Sequence, residues 1–161
     1  MPADMFIKID DIKGEATDDK HKDEIEVLSW NWGCTQSGTM HVGTGGGAGK
    51  VHVQDLTLTK HVDKASPNLV RYACNGKHLG TAVLTVRKAA GDSPLEYVKI
   101  TLTNVIITSV NLGGTGGVLL SETVTLNFAK VKFEYTPQKT KGGVGEGSMS
   151  CAWDIGLGKE A

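Results

Sequence analysis

Short runs in which hydrophobic and polar residues alternate recur along most of the chain. Alternation with a period of two is typical of β-strands, because successive side chains point to opposite faces of a sheet. One stretch, residues 66–76, has hydrophobic residues at helical spacing instead. The pattern predicts strands over residues 6–9, 25–36, 51–62, 81–88, 96–112, 119–135 and 149–155.

The predicted strand over residues 25–36 changes phase along its length. Ile25 and Val27 share one face. Leu28, Trp30 and Trp32 share the other face. Such a switch indicates a β-bulge, or a strand with hydrophobic contacts on both of its sides.

The tryptophans occupy alternating positions of predicted strands. Trp30 and Trp32 lie on the strand just described, and Trp153 lies on the last one. Tryptophan in this setting is more typical of a core or a subunit interface than of a platform that stacks on sugars or bases. Ser29 and Asn31 oppose Trp30 and Trp32, and they form a small polar face.

The two longest predicted strands also change phase. Val105 and Ile107 fall opposite the main hydrophobic row of residues 96–112, so the second half of that strand is expected to be covered on both faces. A phase change after Phe128 predicts a bulge near residues 129–130. Long strands of this kind favour a barrel or a strongly bent sandwich over a flat sheet.

The predicted helix is short and must dock on a sheet to be stable. Ser66 is a suitable N-cap, Pro67 fits the first helical position, and Gly76 fits a C-terminal cap. About ten residues are marginal for an isolated helix in water. The sequence therefore predicts an all-β protein with one short helix, in a single domain over residues 1–161.

A glycine-rich segment between two predicted strands contains the run GGGAGK, which is similar to a phosphate-binding loop. Such a loop needs a glycine five residues before the glycine of Gly-Lys, then Ser or Thr at the start of a helix. Here Thr44 stands at the glycine position, Val51 replaces the hydroxyl residue, and a strand follows. The segment is therefore interpreted as a mobile ribbon between strands rather than as a nucleotide site.

No residue pattern predicts a catalytic or metal site. The histidines lack the spacings of zinc ligands, and the cysteines form no CxxC pair. The acidic pairs at residues 10–11 and 18–19 lie in a charged loop or on opposite strand faces, which does not bring two carboxylates together. We expect no enzyme activity, no metal and no cofactor. A nucleophile pair of Cys74 and His78 is an alternative, although Gly76 ends the predicted helix between them.

Charge and hydropathy argue against two classes of partner. Lys and Arg number 17 against 18 Asp and Glu, a net charge of 17 − 18 = −1, so no broad attraction to nucleic acid or to anionic membranes is expected. No run approaches the ~20 hydrophobic residues that cross a bilayer. Residues 1–15 lack the basic and hydrophobic regions of a signal peptide. We expect a protein that folds in the cytoplasm and, if secreted, is exported without a signal peptide.

Five segments together resemble the Hcp (haemolysin-coregulated protein) family, the tube subunits of type VI secretion systems. In chain order they are KIDDIKGEATDDKHKDEIEVLSWNWG, SPNLVRYACNGKH, AVLTVRKAAG, EYVKITLTNVIITSVN and SETVTLNFAKVKFEYTPQ. They cover nearly the whole chain, and the specificity lies in their combination.

The resemblance implies a fold and a mechanical role. The expected fold is a two-sheet β-barrel flanked by one helix and similar to phage tail-tube proteins. Family members form hexameric rings that stack into a tube inside a contractile sheath, with a spike protein at its tip. Contraction propels tube and spike into a target cell, and small effector proteins ride in the ring lumen, where Hcp acts as a chaperone. The protein is then secreted by the machine itself.

The resemblance also suggests roles for individual residues. Ser29 and Asn31 become candidates for the lumen wall. The ribbon over residues 38–50 is similar to the extended loop with which such tubes reach an adjacent ring. Its candidate stacking residues are Gly38, Met40, His41, Gly45, Gly46, Gly47 and Lys50.

Three alternatives to a type VI tube protein stay open at the level of sequence. A carbohydrate-binding β-sandwich would use the tryptophans as a sugar platform. A small hydrolase would use Cys74 or the acidic loop. A phage-type tail-tube protein would share the architecture but serve a different machine.

Overall fold

A computed structural model describes residues 4–38, 40–41, 47–88, 94–138 and 147–161, and these hold eleven strands and one helix. The helix α1 spans Ser66–Asn75. The strands are β1 (Asp4–Ile9), β2 (Ile25–Glu26), β3 (Ser29–Asn31), β4 (Cys34–Gly38), β5 (Ala48–Val53), β6 (Leu56–His61), β7 (Leu79–Lys88), β8 (Leu95–Gly113), β9 (Ser121–Tyr135), β10 (Met149–Asp154) and β11 (Lys159–Glu160).

Antiparallel pairing joins most of the strands into a closed ring of hydrogen bonds. β1 pairs with β7, β7 with β8, β8 with β9, and β9 with β6. Residues 25–31 close this ring, because they bond first to β1 and then to β6. The amide of Val27 donates to the Met5 carbonyl at 2.9 Å, and the amide of Leu28 donates to the Thr59 carbonyl at 2.8 Å. The expected β-barrel is therefore present, with β4 and β5 forming a second, two-stranded sheet.

The exchange of partners at Leu28 explains the phase switch in residues 25–36. Ile25 and Val27 face the core while the chain is paired with β1, and Trp30 packs against the core once the chain is paired with β6. Leu28, at the exchange, is 47% exposed. The prediction of one strand here is wrong, because the stretch divides into β2, β3 and β4. Residues 51–62 likewise divide into β5 and β6.

One hydrophobic cluster fills the barrel, and its members come from every strand of the ring. Residues with almost no exposed surface include Ile7, Ile25, Leu56, Leu58, Leu84, Ile100, Leu102 and Leu126. Burial of this cluster is the main force that favours the fold.

The long ladder between β8 and β9 changes face in its middle. Asn104 adopts φ 55, and beyond it Val105 and Ile107 take over the buried positions. The expectation of hydrophobic cover on both faces is therefore replaced by a switch of the core-facing row. The burial phase of β9 does change near residues 129–130, but the register shift lies on β8, between Ile107 and Ser109.

Helix α1 packs beside β8, and one of its two predicted caps is correct. Gly76 adopts φ 67 and donates its amide to the Tyr72 carbonyl at 3.0 Å, which confirms the C-terminal cap. The N-cap residue is Ala65, so the assignment of Ser66 to that position is wrong. Ser66 lies inside the first turn, and its hydroxyl is used elsewhere.

That hydroxyl belongs to a buried polar cluster beneath the start of the helix. Lys60 and Glu122 are cross-strand partners with fully buried side chains, and they form an ion pair. Lys60 Nζ also donates to Asp63 Oδ1 at 2.9 Å, and Ser66 Oγ donates to Glu122 Oε1 at 2.7 Å. The cluster ties the helix to β6 and β9, and no sequence pattern predicted it.

A second ion pair ties the long loop after β1 to the barrel. Arg87 of β7 is buried, and its Nη1 donates to Asp18 Oδ2 at 3.0 Å. The guanidinium lies 4.9 Å from the centroid of the Phe6 ring, which stacks on His21 at 4.6 Å. The hydrogen bonds from Arg87 lower the pKa of Asp18 and raise the pKa of Arg87 itself.

We predict that Lys60→Met will strongly destabilise the protein, because the Glu122 carboxylate is left buried without its cation. Breaking a buried ion pair in this way typically costs about 3–5 kcal/mol. The double variant Lys60→Met with Glu122→Leu should be more stable than Lys60→Met alone, since it removes both charges. Thermal unfolding at fixed protein concentration measures this. Lys22→Met on the exposed surface is the control, and a double variant that unfolds no later than the single one contradicts the prediction.

We predict that Asp18→Asn will lower the melting temperature at pH 7, and that the difference from the parent will shrink as the pH falls below 3.8. The folded state lowers the pKa of Asp18 below its ordinary value of 3.8. The pair therefore stabilises the fold above that pH, and its contribution disappears as the pH falls through the lowered value. Asp19→Asn, one residue along the loop, is the matched control. A difference between Asp18→Asn and the parent that does not shrink as the pH falls below 3.8 would contradict this account.

Candidate functional site

One outer face of the barrel is covered by small polar side chains from four neighbouring strands. Ser29 of β3 lies opposite Thr59 of β6. Thr59 lies opposite Thr123 of β9, and Thr123 lies opposite Asn111 of β8. Residues directly opposite each other in an antiparallel ladder point to the same side of the sheet. These four side chains therefore form one row across the sheet.

A second row runs parallel to the first. Asn31 lies opposite Thr57, Thr57 lies opposite Thr125, and Thr125 lies opposite Ser109. We call the two rows together the polar face, which consists of Ser29, Asn31, Thr57, Thr59, Ser109, Asn111, Thr123 and Thr125. Each of its side chains is exposed or half-buried.

The polar face is backed by the hydrophobic core. On the other side of the same strands, Trp30 lies opposite Leu58, which lies opposite Val124, which lies opposite Val110. Leu58 and Val124 are buried, and both Trp30 and Val110 pack against the core cluster. The polar side chains therefore stand on a strand backbone that is held in place from behind.

Hydroxyl groups link the strands on the polar side. Thr125 Oγ1 is 2.8 Å from Thr108 Oγ1, and it also bonds to Ser109 Oγ. Asp55, just before β6, accepts from Asn127 Nδ2 at 2.8 Å. The polar face itself consists of hydroxyl and amide groups, which both donate and accept hydrogen bonds and carry no charge at neutral pH.

Part of this face is predictable from the sequence. Ser29 and Asn31 are both exposed on the polar face. The other six residues of the face were not predicted as part of a site. A signal for those residues existed, because Thr57, Thr59, Thr123 and Thr125 alternate with buried hydrophobic residues along β6 and β9. The register that brings them together was not visible in the sequence.

The described residues on either side of the glycine-rich run pair as a two-stranded β-ribbon. In β4 and β5, Cys34 pairs with Val53, Gln36 with Val51, and Gly38 with Ala48. The amide of Gln54 donates to the Gly33 carbonyl at 2.9 Å, which continues the hairpin of β3 and β6 into this pair. We call the described residues 34–38, 40–41 and 47–53 the ribbon. Lys50 lies within strand β5. A phosphate loop is followed by a helix, so its structural context is absent at Lys50.

The predicted stacking residues are distributed along the ribbon. Met40 is 79% exposed, and Gly38, His41 and Lys50 are also exposed. Gly47 is half-buried. Gly45 and Gly46 lie outside the described residues.

The tryptophans predicted for a core or an interface pack against the core cluster and are each half-buried. Trp32 and Trp153 line a cleft of about 210 Å³ between the ribbon and β9–β10, together with Val51, Val53 and Phe133 among others. The indole Nε1 atoms of Trp32 and Trp153 are buried without a hydrogen-bond partner in the described part of the chain. These rings are packed into the protein and are not presented as an open sugar platform.

The described residues form neither a metal site nor a membrane-spanning helix. They contain no group of three or more His, Cys, Asp or Glu side chains arranged to hold a metal ion. Their one helix is too short and too polar to cross a membrane.

Comparison with known families and proteins gives a consistent result. Residues 6–135 match the family model described as type VI secretion system effector, Hcp. The chain is 53% identical over 156 residues to protein hcp1 of Pseudomonas aeruginosa, with 96% of each chain covered.

Solved structures agree with the sequence comparison. Hcp1 from Salmonella typhimurium is 44% identical, with all of each chain covered and a TM-score of 0.81. A structure described as a type six secretion system protein is 35% identical, with a TM-score of 0.92 and with 99% of this chain and 100% of that one covered.

Proposed function

The chain belongs to the Hcp family, the tube proteins of type VI secretion systems, and from this membership we propose that it forms hexameric rings whose lumen is lined by the polar face. The observation that carries the proposal is the continuity of that face over four strands. A lumen wall must be exposed, extended and uniform around the ring. The polar face has each of these properties within one subunit.

Free strand edges support the closure of a ring. Among the described residues, β3 pairs with β6 alone, and residues 106–113 of β8 pair with β9 alone. The ladder between β7 and β8 ends at Leu79 and Val105. The sheet that carries the polar face therefore has an unpaired edge at each side. Joining these unlike edges between neighbours would satisfy their backbone groups and form a closed ring with a continuous inner wall.

The chemistry of the polar face suits transport of varied cargo. Its hydroxyl and amide groups can form hydrogen bonds with many protein surfaces, and they offer neither a large apolar patch nor a charge that would hold one partner tightly. We propose that small effector proteins bind in the lumen, where the ring protects them before secretion. The role is mechanical and cargo-carrying, without catalysis.

The proposal includes the remaining parts of the machine. Rings stack into a tube, a spike protein caps the tube, and contraction of an outer sheath drives both out of the cell. The machine itself then exports the subunit from the cytoplasm. The carbohydrate-binding and phage-tail alternatives do not match the family and the relatives, which are type VI proteins.

We predict that assembly will protect the two free edges from hydrogen exchange. Native mass spectrometry should give a hexamer, and backbone amides of β3 and of residues 106–113 should exchange more slowly in the ring than in the dissociated chain. The amides of β7, which is paired on both sides, are the internal control. Equal exchange at the edges in the ring and in the dissociated chain would remove them from the ring contact.

We predict that Asn31→Gln will reduce cargo retention several-fold while hexameric rings still form. The longer side chain protrudes further from the wall and displaces the amide from its present position. The readout is the amount of protein that co-purifies with rings from producing cells, identified by mass spectrometry. Asn68→Gln, on the helix, makes the same chemical change away from the polar face. Unchanged co-purification with Asn31→Gln would argue against the lumen assignment.

A further inference from the structure

The polar face borders on a charged residue at the end of the barrel nearest the ribbon. Along β6, Thr57 and Thr59 point to the polar side, and the same alternation places Asp55 on that side, two residues before Thr57. The amide of Gln54 donates to the Gly33 carbonyl at the base of the ribbon. Asp55 therefore stands where the polar face meets the ribbon.

Hydrogen bonds from two other strands hold the carboxylate of Asp55 in place. Thr108 Oγ1 of β8 donates to Asp55 Oδ2 at 3.0 Å, and Asn127 Nδ2 of β9 donates to Asp55 Oδ1 at 2.8 Å. Thr108 Oγ1 also lies 2.8 Å from Thr125 Oγ1, which belongs to the polar face. A continuous line of hydrogen bonds thus joins the carboxylate to the polar face.

Each oxygen of Asp55 has room for a further donor. A carboxylate offers about four acceptor sites, two on each oxygen, and the described residues fill two of them. No cationic side chain of the described residues pairs with Asp55. The residue is half-buried, and a partly buried charge is screened less by salt than a fully exposed one. Asp55 is therefore a fixed negative charge that lacks a cationic partner within the described part of the subunit.

This charge stands beside a wall that is otherwise neutral. The residues that extend the polar face along its strands are His61 on β6, Ser121 and Asn127 on β9, and Gly113 on β8. Among these described positions and those of the polar face, none carries a carboxylate. The imidazole of His61 is at the opposite end, six positions from Asp55 and roughly 20 Å away at about 3.3 Å per residue.

A ring would repeat the charge at one level of the lumen. In the proposed hexamer each subunit turns its polar face inward, so the Asp55 carboxylates form a band around the wall at the end nearest the ribbon. Charges of one sign that line a concave surface raise the local concentration of oppositely charged partners. A cargo protein that touches several subunits meets several of these charges at once, which strengthens its binding without new kinds of contact.

We propose that the Asp55 carboxylates select cargo proteins with a basic surface, through ion pairs to their lysine and arginine side chains. This inference rests on the proposed ring and names the chemical class of cargo that its lumen prefers. An arginine guanidinium can donate to both oxygens of one carboxylate. The carboxylate is already held by Thr108 and Asn127, so little ordering is needed on binding. A cargo protein with an acidic surface is disfavoured by repulsion from the same band.

Asp55→Asn removes the charge with little change in shape. The asparagine oxygen can accept from Asn127, and its NH₂ group can donate to Thr108 Oγ1, so both hydrogen bonds can persist. Asp19→Asn, which makes the same change at an exposed site in the loop after β1, is the matched control. Native mass spectrometry scores the rings of every variant, and circular dichroism scores the fold.

Cytochrome c and its lysine-acetylated form serve as probes, because they are one small protein in a basic and a less basic state. Co-elution with rings in size-exclusion chromatography at low salt measures retention. Parent and Asp19→Asn rings should retain the basic form about tenfold better than the acetylated form. Asp55→Asn should lose most of this preference, and Asp55→Lys should favour the acetylated form. Added salt should weaken the preference of the parent.

Three results would overturn the inference. The first is equal retention of the basic probe by parent and Asp55→Asn rings, and the second is a parent without preference for the basic probe. The third is loss of rings by Asp55→Asn while its fold is kept, which would show that the carboxylate serves assembly rather than cargo.

The same measurements separate this inference from the proposed function. If the parent protein forms no hexamer, the proposed ring fails. If rings form and Asn31→Gln lowers cargo retention while Asp55→Asn leaves probe retention unchanged, the lumen assignment stands and the selection of basic cargo is wrong. If Asp55→Asn rings persist and lose the preference for the basic probe, both proposals are supported.

Discussion

The structure depends on one exchange of backbone hydrogen bonds. Residues 25–31 pair with β1 up to Val27 and with β6 from Leu28 onward, and this closes the barrel. An unpaired backbone group is costly inside a protein, so a chain that leaves one partner must find another at once. The exchange also decides which side chains face inward, because it brings Trp30 to the core and leaves Ser29 and Asn31 outside.

The polar face and the ribbon both follow from that exchange. Once β3 is paired with β6, its outward residues fall into rows with those of β9 and β8. The same hairpin then continues as β4 and β5, which among the described residues pair only with each other. Half of the polar face and the whole ribbon therefore belong to one continuous segment, residues 29–61. This connects the local chain path to the proposed lumen wall.

The buried polar cluster joins the core to the end of the barrel away from the ribbon. Lys60 and Glu122 hold β6 against β9, Ser66 brings in the helix, and Asp63 lines a pocket of about 300 Å³ together with Leu119 and Leu120. A buried ion pair adds little net stability, but it is strongly destabilising when one partner is lost. The ion pair of Lys60 and Glu122 instead fixes positions: it holds the start of the helix and the wall of the pocket in place relative to the strands.

The sequence by itself determined the fold class, the helix with its glycine cap, the family and two members of the polar face. These follow from local rules: period-two alternation, helix-capping preferences and the combined match of five segments. Only the tertiary structure decided the break at Leu28, the face switch at Asn104, the pairing of Lys60 with Glu122 and the rows that complete the polar face. Each of these depends on which strand lies beside which, and at what register. Strand pairing joins residues far apart in the chain, as Ser29, Thr59, Thr123 and Asn111 show, and alternation along one strand carries no information about its neighbour.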